Sequence, residues 1–160
     1  MPIQRRRITL TGVKPLGPVQ FRFENFYLYG AVEPSTGERF FLELPQLHPT
    51  NFQIFRNECA HQYQQTLNIV LMDNGSCHTA KSLVMPENIM GLFLPPYSPE
   101  LNPIERLWQD VKGQLAWVLP PRLEELAYQV ETILRQYAKT AIRSLTSYPY
   151  FVQAVHALCS

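Results

Sequence analysis

The chain is poor in aspartate, in cysteine and in net charge, and each shortage excludes something. Its 160 residues hold two aspartates, Asp73 and Asp110, so any chemistry that needs paired aspartates has almost nothing to choose from. The three cysteines, Cys59, Cys77 and Cys159, are odd in number, widely spaced and without a C-x-x-C pair. That pattern argues against a disulfide framework or a thiolate zinc site and fits a reducing cytoplasm. Lys and Arg number 14 against 13 Asp and Glu, a net charge of +1. A protein that wraps nucleic acid by bulk charge is far more basic, so any DNA contact must rest on a local patch. No apolar run reaches the roughly 18 residues of a membrane span, and no membrane partner is expected. Arg5-Arg6-Arg7 resembles the start of a signal peptide, but Thr9, Thr11, Lys14 and Pro15 leave no apolar segment behind it, so none is expected.

What is plentiful is apolar and aromatic surface: 46% of residues are hydrophobic and 12% aromatic. This is the composition of a globular domain rather than a disordered chain, long enough for one core that buries roughly 70% of the unfolded surface. Proline is also abundant, at 14 residues, nearly twice the usual fraction of about 5%. Residues 1–20 carry Arg5, Arg6, Arg7 and Lys14 among Gly12, Pro15, Gly17 and Pro18, which break any regular period. They are expected to form a basic, loop-like arm ahead of a domain over 21–160.

Within that domain, residues 26–32 and 39–44 are aromatic and branched runs around Pro34-Ser35-Thr36-Gly37, which predicts an antiparallel hairpin. Thr50 or Asn51 is positioned to cap a helix to about residue 64 that buries Phe52, Phe55 and Cys59. Residues 68–72 and 89–94 read as buried strands, with a short helix over 79–84 between them. Four prolines over 95–103 exclude an α-helix there. Ile104, Leu107, Trp108, Val111 and Leu115 then share one helical face. A second helix over 123–139 is expected to bury Leu123, Leu126, Ala127, Val130, Ile133, Leu134 and Tyr137, and 141–160 to form one or two short helices broken near Pro149. Strands interleaved with helices give a mixed α/β domain.

Two carboxylates stand out, each with an ordinary explanation beside a chemical one. Asp73 ends a predicted strand, where ligand sites of open α/β sheets gather, yet Asp73-Asn74-Gly75 is also a plain turn. Glu105 sits third after Asn102 and second after Pro103, the pattern of a helix capping box. Together, one at a strand end and one in the first turn of a helix reached by a stiff loop, they could converge, and two or three hard oxygen ligands on rigid elements are what a Mg²⁺ phosphoryl-transfer site needs. His78, five residues after Asp73, could sit near a metal or help hold DNA phosphate, but reads as a helix-start or surface histidine with no catalytic role; Cys77 reads as a small buried hydrophobe, and Arg106 and Lys112 as weaker phosphate-binding candidates. Pro96-x-x-Pro99 also fits a polyproline ligand of an SH3-like groove, though its place between a strand and a capped helix argues that it is not exposed.

Val70-Leu71-Met72-Asp73-Asn74-Gly75-Ser76-Cys77-His78, followed by Leu92-Phe93-Leu94-Pro95-Pro96-Tyr97-Ser98-Pro99-Glu100-Leu101-Asn102-Pro103-Ile104-Glu105-Arg106-Leu107-Trp108, resembles the catalytic core of bacterial insertion-sequence transposases of the mariner superfamily. The likeness extends through residues 5–41. It implies a ribonuclease H-like mixed sheet flanked by helices, and metal-dependent DNA strand cleavage and strand transfer through a DDE triad with two Mg²⁺ or Mn²⁺ ions. The same likeness implies transposon-end and target DNA and a second transposase chain as partners, no small-molecule substrate, and a bacterial, nucleoid-associated location. Carried onto this sequence, Asp73 matches the second triad carboxylate and Glu105 the third, as catalytic and metal-binding residues, while Arg5, Arg6, Arg7 and Lys14 are candidates for gripping DNA phosphates. The 31 residues between Asp73 and Glu105 are three fewer than the commoner spacing of that superfamily, close to one helical turn.

The first triad Asp, and the first central strand that carries it, fall ahead of the stretch matched by residues 5–15 and are expected to be missing from this chain. Asp110 is no replacement, lying roughly 140° around the same helix from Glu105, and Glu24 and Glu33 flank a different strand. Without the strand the sheet is expected to carry an unpaired groove. The functional expectation is a truncated catalytic domain, inactive alone. The alternative is a non-catalytic DNA-binding or transposase-dimerising remnant.

Overall fold

A computed structural model describes residues 25–158 apart from 76, 81, 117 and 119. The arm at 1–20, with Arg5, Arg6, Arg7 and Lys14, lies outside the described residues, as does Glu24. The described chain runs β1 (Leu28–Val32), β2 (Arg39–Glu43), α1 (Pro49–Gln62), β3 (Asn68–Met72), β4 (Ile89–Phe93), α2 (Ile104–Leu115), α3 (Leu123–Gln136), α4 (Lys139–Thr146) and α5 (Pro149–Leu158). No helix among the described residues is long and apolar enough to cross a membrane.

β1 and β2 form the expected antiparallel hairpin, with Leu28 opposite Glu43 and Val32 opposite Arg39. Because side chains alternate across a strand, Tyr29 and Ala31 of β1, with Phe40 and Leu42 of β2, meet Phe52 and Phe55 of α1 on one face. Leu28, Val32 and Phe41 meet α2 and α3 on the other, where Leu107, Val111, Leu115, Val130 and Leu134 form the second core. Gly30 lets α2 come this close: a Cβ there would stand 2.7 Å from Trp108 Cζ2 and 2.8 Å from Phe41 Cδ1.

β3 and β4 pair in parallel, Asn68 opposite Ile89 and Met72 opposite Phe93. Val70 and Met72 pack into the cluster under α1. The other face differs from expectation, since Ile69, Met90 and Leu92 keep between 44% and 49% of their surface exposed. These strands are buried on one side only. Among the described residues nothing pairs with the second edge of β1 or of β3, so the four strands make two two-stranded sheets rather than one mixed sheet.

Three local expectations change. Helix α1 starts earlier than Thr50, because Pro49 suits the first helical position and His48 caps the helix, its ring accepting from Thr50 N–H at 3.2 Å. The described residues of 79–84 form turns and extended chain instead of a helix. There the side chains of α1 take over the backbone partners: Val84 N–H donates to Gln53 Oε1 at 2.8 Å, and Val84 O accepts from Arg56 at 3.1 Å. Helix α3 ends at Gln136, and of its expected stripe only Val130 and Leu134 are fully buried. Ala127 instead lines an open groove of about 540 Å³ with Leu28, Phe41, Val130 and Leu134.

Candidate functional site

Asp73 follows directly on β3, and its position is set by the ladder beside it. Leu94 N–H donates to Met72 O at 2.8 Å, and Asn74 Nδ2 donates to Leu94 O, so the turn after β3 is tied to the end of β4. The Asp73 carboxylate is half exposed. Its Oδ1 accepts from Gly75 N–H at 2.9 Å, the Asx turn that the sequence predicts. It also lies 2.6 Å from His78 Nδ1. His78 is therefore neither a helix start nor a surface histidine: its side chain keeps 19% exposure and its ring packs on Phe52, centroids 4.3 Å apart. The five-residue spacing from Asp73 was the available signal, and it reads as a contact only once the turn at Gly75 folds the chain back.

Cys77, beside this turn, is buried as expected, and burial first, then the Asp73 charge, pushes its thiol above the usual range. A poorly ionised thiol is a poor nucleophile and metal ligand.

Glu105 lies in the first turn of α2, reached from β4 by the proline-rich loop. The capping-box explanation for it does not hold. Asn102 Oδ1 does approach Ile104 N–H, at 3.4 Å, but the Asn102 N–H that Glu105 would have to accept donates to Pro99 O at 2.9 Å. That bond closes a 3-10 turn over Pro99–Leu101, a compact form that the prolines permit although they exclude an α-helix. The Glu105 carboxylate is left without the helix-capping duty. Among the described residues, neither Asp73 nor Glu105 pairs with a lysine or arginine.

Most of the remaining candidates have structural partners. Asp110 accepts from Tyr137 Oη and from Gln114 Nε2, the latter at 2.9 Å, and burial with this contact raises the Tyr137 hydroxyl well above its ordinary range. Glu33 takes the Ser35 and Thr36 hydroxyls at 2.7 and 2.6 Å inside the hairpin turn. Arg106 donates to Tyr148 Oη at 3.0 Å with its guanidinium over that ring, and Lys112 stands in the last turn of α2. The loop at Pro95, Pro96 and Tyr97 is exposed, contrary to expectation. Yet Tyr97 has φ of 59° and Pro99 enters the 3-10 turn, so the segment is not the polyproline helix that an SH3-like groove reads.

Among the described residues no group of three His, Cys, Asp or Glu side chains gathers to hold a metal ion. Among the described residues the donor set still suits a hard cation in part: an Asp carboxylate whose Oδ1 takes two hydrogen bonds and whose Oδ2 takes none, and a Glu carboxylate released from capping.

Comparisons with known proteins bear on the family and the fold. Residues 2–127 match the family model described as DDE superfamily endonuclease. The uncharacterized protein y4pE/y4sA of Sinorhizobium fredii (strain NBRC 101917 / NGR234) is 38% identical over 87 residues, covering 54% of this chain and 64% of that protein. Among solved structures, the Mos1 transposase paired-end complex with left transposon end is similar with a TM-score of 0.65 at 15% identity, over 89% of this chain and 46% of that one. The chain thus spans less than two thirds of one relative and under half of the other. The structural likeness establishes the ribonuclease H-like α/β fold.

Proposed function

The chain belongs to the DDE superfamily endonucleases, and on that premise we propose that it is part of the catalytic domain of a mariner-type DNA transposase, with Asp73 and Glu105 as two carboxylates of its metal site. The observation that supports this most is the release of Glu105 from its capping role, which leaves, among the described residues, two carboxylates without lysine or arginine partners, one at the end of β3 and one in the first turn of α2. Asp73 would offer Oδ2 and Glu105 its carboxylate to divalent ions, Mg²⁺ or Mn²⁺, which in such sites make water or a DNA 3′-hydroxyl nucleophilic and neutralise phosphate charge. The chain's own part is to hold these oxygens at the ends of rigid elements. Among the described residues no group of three such side chains gathers, and we assign the third carboxylate to a strand that pairs between the free edges of β1 and β3. Arg5, Arg6, Arg7 and Lys14 would hold DNA phosphates, and the natural partners would be transposon-end and target DNA with a second transposase chain. A bacterial cytoplasm, at the nucleoid, belongs to the same reading.

The test is nicking of terminal-repeat DNA with Mg²⁺ by the 160-residue chain and by a longer protein that supplies an aspartate-ended strand ahead of Arg5. The chain alone should be inactive, the longer protein active, and Glu105→Ala in it inactive; full nicking by that variant would sink the assignment. That no group of three metal-holding side chains gathers among the described residues also favours a second reading, a DNA-binding or transposase-dimerising remnant. It requires a gel shift of the same DNA, or capture of the longer protein, without any divalent ion.

A further inference from the structure

Asp73 is held by more than its own turn. Gly75 N–H and His78 Nδ1 converge on the same oxygen, Oδ1, at 2.9 and 2.6 Å. His78 Nδ1 also lies 3.3 Å from the Asp73 main-chain oxygen. A ring nitrogen facing two acceptors carries the ring's hydrogen, so Nδ1–H is the donor whether the ring is neutral or charged. The approach depends on Gly75, since a Cβ there would sit 3.0 Å from Asp73 Oδ1 and 3.5 Å from His78 Nδ1. On the other side the imidazole is backed by Phe52, a buried ring of α1 that also lies under the Arg56 guanidinium at 5.1 Å. Arg56 is itself fixed, through Gln53 Oε1 at 3.0 Å and Val84 O at 3.1 Å. A run of contacts thus leads from the middle of α1 to one carboxylate oxygen.

We propose that His78 is a positioning residue: with Gly75 N–H it pins Asp73 by Oδ1, so that Oδ2 is the oxygen presented to a divalent ion. This rests on the reading of Asp73 as a metal-binding carboxylate. A half-exposed aspartate without such a clamp samples several rotamers, and ordering it on binding costs affinity. Hydrogen-bonded groups behind a ligating side chain are commonly worth 10–100-fold in metal affinity.

The test measures Mn²⁺ binding to the 160-residue chain by the electron paramagnetic resonance of the free ion. His78→Phe keeps a ring against Phe52 but removes the donor, while His78→Asn places an amide N–H near the position of Nδ1. Asp73→Asn should lose binding, His78→Phe should weaken it by about 10-fold or more, and His78→Asn should recover most of the affinity. Wild-type affinity in His78→Phe beside a loss in Asp73→Asn overturns the role of His78 and leaves the metal site standing. Wild-type affinity in Asp73→Asn overturns both. Imidazole ¹⁵N shifts of the metal-free chain supply a reading that needs no ion: the hydrogen should reside on Nδ1 in the neutral ring, and a ring protonated only at Nε2 overturns the proposal.

Discussion

The two sheets are the same size, two strands of five residues each, and they are stabilised in opposite ways. The hairpin β1–β2 is packed on both faces, by α1 on one side and by α2 and α3 on the other. The parallel pair β3–β4 is packed on one, and its second face shows Ile69, Met90 and Leu92 to solvent. The candidate carboxylate Asp73 emerges from the less covered sheet. Its geometry therefore depends on directional bonds in the following turn, from Gly75, His78 and Asn74, rather than on close packing around it.

If this contrast is right, damage should divide into changes that lower stability and changes that lower metal affinity. The largest loss of stability is expected from Leu107→Ala, a fully buried side chain between α2 and the hairpin. It should cost about 2–5 kcal/mol in a denaturant melt. Gly30→Ala pushes a methyl group into Trp108 and Phe41, and a loss of about 1–3 kcal/mol by the same measurement is expected from overpacking.

Alkaline pH probes the core under α1. Burial raises the Cys59 thiol from its ordinary value near 9 to about 11. The unfolded chain then releases this proton at lower pH than the folded one, so stability is intact below pH 9 and falls as pH rises through about 11. Cys59→Ala should flatten that part of a pH series of thermal melts. A slope unchanged by the substitution would contradict the assignment.

Gly75→Ala sharpens the comparison from the other side. Its Cβ would crowd Asp73 Oδ1 at 3.0 Å, in the turn that follows β3. Mn²⁺ affinity should fall by about 10-fold while the melting temperature moves little. The smallest effect is expected on the bare face of β3–β4, where Ile69→Thr or Leu92→Thr should change stability by no more than about 0.5 kcal/mol. A loss comparable to that of Leu107→Ala would show that something covers this face in solution.

Much of this architecture is legible in the residues. The hairpin turn, the strand over Asn68–Met72, the apolar stripe of α2 and the stop at Asp73-Asn74-Gly75 follow from local periodicity and turn chemistry, and they appear where expected. The departures have different causes, one of them a partner distant in sequence. The segment 79–84 does not form its helix, and at its end Gln53 and Arg56 satisfy the Val84 backbone from across the fold. Glu105 misses its capping box because Pro99 O reaches the Asn102 N–H first. Ile69 and Leu92 carry the apolar signature of buried strands, and periodicity cannot reveal whether anything lies over them.

The sequence by itself determined the elements, the family and the two carboxylates worth attention, because those depend on residue type and short spacing. Only the tertiary structure decided which side chains stand behind those carboxylates. The pairing of His78 with Asp73 requires a turn closed at Gly75 and a ring from α1 pressed against the imidazole. The turn is local and legible in the sequence, but the ring comes from an element far away in the chain, where no local pattern carries the information.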